Sequence, residues 1–163
     1  MTPAFADDIS FGGSFSDIKK AYAMLCRLGD AYGYFPQPDK SIMITPTANQ
    51  ASASVVFQPE GFSILSGHRY LGGFIGEADA FLPWIKAKVE RWAQSISQLS
   101  NACLRFPQSA YCGLQKSLRH EWQFVQRVKA CDSELFSPLE QALATEFWPM
   151  LLGRQAHHNP SQS

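Results

Sequence analysis

Hydrophobic and polar positions change rhythm at about residue 76. Before that point short apolar runs are broken by Gly and Pro; beyond it apolar residues recur every three or four positions. In the first part Phe15, Ile18, Tyr22, Leu25 and Leu28 share one helical face and predict a helix over residues 15–28. Ser14 or Ser16 can cap it, with Asp17 in capping-box position after Ser14, and Gly29 suits the position just past its end. Ser41-Ile42-Met43-Ile44-Thr45 and residues 62–65 read as strands, Ser66-Gly67 as a turn, and residues 68–75 as a further strand. The polar, alanine-rich residues 46–54 fit either a short helix or a loop. Gly72, Gly73 and Gly76 imply a bulge or a close backbone approach.

In the second part Phe81, Ile85, Val89, Trp92, Ile96, Leu99 and Cys103 form one apolar face, ended by Phe106-Pro107. A second helix is expected over residues 108–129, carrying Tyr111, Leu114, Leu118, Trp122 and Val125. A third, over residues 134–148, carries Leu135, Leu139, Leu143 and Phe147. Pro138 fits its first turn, and Pro149 argues for an end or a kink. The expected fold class is α+β. Strands and a helix are expected to fill residues 1–76 without an obvious second layer and three helices residues 77–152, with residues 153–163 expected to form a polar, disordered tail.

Composition narrows this only slightly. With 163 residues, 45% of them hydrophobic, the chain can build a core. The formal net charge of zero argues against nucleic-acid binding through global charge alone. Charge is segregated, however. Residues 77–130 hold Lys86, Lys88, Arg91, Arg105, Lys116, Arg119, Arg127 and Lys129 against Glu77, Asp79, Glu90 and Glu121. No apolar run has the length of a membrane span, and the first residues lack the basic and apolar regions of a signal peptide. Cys26, Cys103, Cys112 and Cys131 form no C-x-x-C pair and have no histidine at zinc spacing. They are expected to be reduced and structural in an intracellular protein.

The candidate chemistry lies near the beginning. Phe5-Ala6-Asp7-Asp8, followed by Ile9-Ser10-Phe11, reads as a hairpin with two carboxylates at its tip. Carboxylate oxygens suit hard cations such as Mg²⁺, which makes Asp7 and Asp8 candidate metal ligands. Taken alone, two aspartates in a turn are more often simply solvated. Lys40 before a strand is most often an exposed charge. Tyr32, Tyr34 and Phe35 can stack on a base or pack internally.

The order of these pieces resembles the C-terminal half of a reverse transcriptase palm, closest to retroelements without long terminal repeats. An aromatic-x-Asp-Asp hairpin (residues 5–8) is followed by a helix, by Asp39-Lys40-Ser41 before a strand (residues 33–44), and by a hairpin containing Arg69-Tyr70-Leu71-Gly72-Gly73 (residues 67–76). The helices beyond resemble the thumb, and the resemblance covers roughly residues 2–130. It implies an RNA-directed DNA polymerase, a nucleotidyltransferase in which Asp7 and Asp8 hold metal and Lys40 approaches the triphosphate. Tyr70, Leu71, Gly72 and Gly73 would form a primer grip, while Lys116, Arg119 and Arg127 would contact an RNA or DNA primer–template. The family's further catalytic aspartate and its fingers precede the hairpin, where this sequence has only residues 1–4. The expectation is therefore a partial palm that does not extend primers alone and uses Mg²⁺ only if a partner supplies the missing half. The competing expectation is a helical nucleic-acid-binding or protein-interaction module without catalysis.

Overall fold

A computed structural model describes residues 4–5 and 8–153, with side chains from Ile9 onward. The architecture mixes helix and strand, as expected of an α+β chain. It divides into two compact units, one of Met1–His68 with Ile75–Glu77, the other of Arg69–Phe74 with Ala78–Ser163.

In the first unit β1 (Ala4–Phe5) and β2 (Asp8–Ile9) pair antiparallel, Phe5 opposite Asp8 and Ala4 opposite Ile9. Helix α1 (Phe15–Gly29) is capped by Ser14, whose Oγ accepts from the Asp17 N–H at 3.2 Å and donates to Asp17 Oδ2 at 2.7 Å. Gly29 is not the residue that ends the helix in a left-handed conformation. Its backbone is helical (φ −56°), and the chain continues as a 3₁₀ turn, Asp30–Tyr32, to Gly33 at φ +72°. Gly29 is instead buried where a Cβ would run into the Tyr34 carbonyl oxygen. Leu28, expected on the apolar face, is exposed.

Strands β3 (Ile42–Ile44) and β4 (Ser63–Leu65) pair in parallel, with Met43 opposite Ile64. Parallel neighbours cannot be joined by a tight turn. A 3₁₀ turn, Thr47–Asn49, and helix α2 (Gln50–Phe57) make the crossover, which decides between the helix and loop expected over residues 46–54. Met43, Ala53 and Phe57 form the core, flanked by Phe15, Ile18, Val56, Phe62 and Ile64. Helices α1 and α2 thus supply the second layer that the sequence did not reveal.

The single strand expected over residues 68–75 is folded on itself as β5 (Gly67–Tyr70) and β6 (Gly73–Gly76). Leu71 (φ 46°) and Gly72 (φ 82°) make the turn, both left-handed as tight hairpins require. At Gly76 (φ 133°) a Cβ would collide with Gly67 and with the Ser66 carbonyl. The glycines therefore make a turn and a close approach, not a bulge.

The second unit is helical. In α3 (Ala78–Cys103), Phe81, Ile85, Val89, Trp92, Ile96 and Cys103 are buried as expected, joined by Ser100, while Leu99 is half-buried. The next helical run is α4 (Pro107–Gly113), a π turn (Leu114–Leu118) and α5 (Arg119–Val128). After a 3₁₀ turn, Ser133–Phe136, comes α6 (Ser137–Ala142), a second π turn (Leu143–Phe147) and α7 (Trp148–Leu151). The helix expected to begin at Glu134 thus becomes α-helical only at Ser137, with Pro138 in its first turn. Pro149 does not end it.

The π turns follow from residue spacing. Ala110, Leu114, Leu118 and Trp122 are four apart, as are Leu135, Leu139, Leu143, Phe147 and Leu151. Each four-residue step overshoots a 3.6-residue turn by roughly 40°, so three in succession would carry the face about 120° out of line. A π turn takes in an extra residue and brings the face back. In α3 the buried positions step by four, four, three, four, four and three, and the helix stays α throughout. Tyr111, expected on the inner face of the second run, is exposed; Ala110 is buried in its place.

Candidate nucleic-acid interface

Asp7 lies outside the described residues. Asp8 is described through its backbone pairing with Phe5, and its side chain lies outside. Lys40 is the exposed last residue of a 3₁₀ turn, Pro38–Lys40, separated from β3 by Ser41 alone. The turn is closed by the Ser41 N–H on the Pro38 carbonyl (2.9 Å) and by Ser41 Oγ donating to the Gln37 carbonyl (2.9 Å). Nearby, Tyr32 and Phe35 are exposed and Tyr34 is half-buried.

The second unit brings two of the expected groups onto one helix. The turn at Leu71-Gly72 is seated on α5: a Cβ at Gly72 would lie 3.2 Å from Phe124 Cε1, and one at Gly73 would lie 3.2 Å from Val128 Cγ2. The absence of both side chains lets the turn lie close against α5. That helix also carries Arg119 and Arg127, eight residues apart and so on one side. Lys116, three residues before Arg119, is exposed in the π turn. Leu71, Phe124 and Val128 leave an exposed apolar surface there. Sequence reasoning did not single out Phe124 and Val128; their i, i+4 spacing outside the apolar face was the available signal.

The cations differ in what engages them. The Lys88 ammonium lies 5.3 Å and 5.5 Å from the ring centroids of Trp84 and Trp92, and that of Lys129 lies 5.4 Å from Phe81. Arg119 Nη1 donates to Gln115 Oε1 at 2.6 Å, while its Nε is shut from solvent with no acceptor among the described residues. Arg127 is exposed.

Elsewhere, Lys19, Tyr22, Ala23, Cys26, Arg27 and Glu60 line a shallow cavity on α1. Burial, then the hydrogen bond and charge of Cys26, push the Tyr22 phenol up to about 12. All four cysteines are free; Cys103 is buried, but Cys26 and Cys112 are exposed, so a packing role does not fit those two. Burial raises the Cys103 thiol, and also that of Cys131 against the opposing effect of Lys129. Among the described residues no three His, Cys, Asp or Glu side chains are grouped to hold a metal. Nor is any described helix long and apolar enough to cross a membrane. Comparison of the chain with protein-family models, curated proteins and solved structures finds no match.

Proposed function

We propose that these residues are the C-terminal palm and thumb portion of a retroelement-type reverse transcriptase, and that they bind its primer–template. The observation that carries this reading is the turn Tyr70-Leu71-Gly72-Gly73, seated on the helix that presents Arg119 and Arg127. In chain order it follows the paired β1–β2 strands, helix α1 and Lys40 before β3. That succession is what the resemblance requires.

In this reading the backbone-rich turn contacts the primer and the basic side chains contact phosphates, which position a duplex without reading its sequence. Asp7 and Asp8 offer the hard oxygen donors that suit Mg²⁺, and Lys40 offers a point charge to a triphosphate. Mg²⁺, when bound, would supply charge neutralisation for in-line phosphoryl transfer. Asp7 and Asp8 are the only carboxylates assigned to that site, so the isolated polypeptide is expected to bind primer–template without extending it.

The test is binding of the 163-residue polypeptide to an RNA–DNA primer–template, followed by fluorescence anisotropy over roughly 50–200 mM salt. Affinity should fall steeply with salt. Neutralising Lys116, Arg119 and Arg127 together should flatten the log–log slope by roughly 2 to 3. Binding untouched by the triple substitution would remove the reading. A binding module without polymerase ancestry would show no preference for a recessed 3′ end over a blunt duplex.

A further inference from the structure

Arg119 is half-buried, and among the described residues its guanidinium meets one acceptor, the neutral amide oxygen of Gln115. A cation withdrawn from water is normally paired with a carboxylate or another anion. Here the nearest carboxylate along the helix, Glu121, accepts instead from the Trp92 indole. The Gln115 bond occupies Nη1. It leaves the Nε–H and Nη2–H edge, the pair of parallel donors that grips an oxyanion in two-point fashion, without a protein partner. The π turn Leu114–Leu118 holds Gln115 four residues before Arg119, within reach of Nη1.

We infer that Gln115 is a positioning residue, holding Arg119 for bidentate contact with a phosphodiester of the bound nucleic acid. The inference rests on the nucleic-acid reading above and adds the residue that aims the contact. The counter-ion of Arg119 is the ligand's phosphate. Nε is now shut from solvent, so an oxygen reaching it requires the surrounding atoms to move, and Arg119 has that donor satisfied only in the complex.

Salt-series binding to the RNA–DNA primer–template tests this with variants of the full 163-residue chain. Arg119→Ala should flatten the slope by about one phosphate, near 0.9. Gln115→Met fills the same space without an acceptor and should weaken binding roughly five-fold at a temperature where it remains folded, with melting lowered by no more than the loss of one hydrogen bond. That loss should vanish in an Arg119→Ala background yet persist in Lys116→Ala, since only the former pair is coupled. Gln115→Glu supplies an anion from within, so it should melt no lower than the parent while losing about one phosphate of slope. It also serves if Gln115→Met fails to fold. Salt-sensitive binding by the parent with an unchanged slope in Arg119→Ala would overturn this inference alone. So would a Gln115→Met loss that persists without Arg119. No binding by the parent would overturn the nucleic-acid reading and this inference together.

Discussion

The indole N–H of Trp92, a buried residue of α3, donates to Glu121 Oε2 on α5 at 2.9 Å, and the Trp92 and Trp122 rings meet edge-on at 6.2 Å. The bond ties the only polar atom of a buried side chain to an acceptor that is itself exposed. Removing the acceptor and replacing it with a neutral one should therefore differ in cost. Glu121→Ala strands the indole N–H and should cost about 1–3 kcal/mol. Glu121→Gln keeps an acceptor and should cost well under that. Urea denaturation of the two variants checks the order, and equal losses would mean that the bond contributes nothing.

Gly29 and Gly33 reverse the usual expectation for glycine. Gly29 has helical angles, where alanine is ordinarily better by about 1 kcal/mol. Yet its Cβ would meet the backbone carbonyl of Tyr34, which the Tyr34 N–H bond to the Gly29 carbonyl (2.9 Å) holds in place. Gly29→Ala should destabilise the first unit by about 1–3 kcal/mol through overpacking. Gly33 has a left-handed backbone with open space around it, so Gly33→Ala should cost only about 1–2 kcal/mol of conformational strain. Gly33→Asn should cost less than Gly33→Ala, because asparagine tolerates that region, whereas Gly29→Asn should be no better than Gly29→Ala. Hydrogen exchange of the α2 amides reads both series.

These contrasts also mark what could be read from the sequence. The Phe81 to Cys103 face was legible because six of its seven residues follow helical spacing into one core. The parallel pairing of β3 with β4 was not: each strand is three residues long, too short for alternation to name a partner. Nor could apolar content distinguish a strand over residues 68–75 from two strands around Leu71-Gly72, since the deciding quantity is backbone torsion. For the candidate site, types and order were legible. The seating of Gly72 and Gly73 on Phe124 and Val128 was not, because it joins residues some fifty positions apart.

Tyr22 gives a pH dependence of defined sign. Its phenol is raised from 10.0 to about 12, first by burial and then by the hydrogen bond with Cys26. Between those values the unfolded chain gives up the proton and the folded chain keeps it, so unfolding gains as the pH rises. The stabilisation is fully present below the ordinary value and is lost through the folded one. Tyr22→Phe removes the titrating group while keeping the edge-on contact with Phe62 (4.9 Å) available. The parent should lose more stability than Tyr22→Phe between about pH 10 and about pH 12 in urea titrations. Parallel losses would show that the phenol does not titrate late.

The π turn at Leu114–Leu118 makes a prediction about length. Ala110, Leu114, Leu118, Trp122 and Val125 are separated by four, four, four and three residues. Deleting the exposed Ser117 would change this to four, three, four and three, so that a step of three interrupts the fours, as it does in α3, which stays in phase without a π turn. The shortened run should therefore become α-helical throughout, keep the same face inward and stay within about 1 kcal/mol of the parent. Deleting the exposed Glu90 from α3 has no such remedy. It turns Trp92, Ile96 and Cys103 by about 100° against Phe81, Ile85 and Val89. That should cost more than about 3 kcal/mol, because several core side chains are displaced together. Urea denaturation separates the two deletions. If removing Ser117 is as damaging as removing Glu90, the π turn is not what absorbs the extra residue.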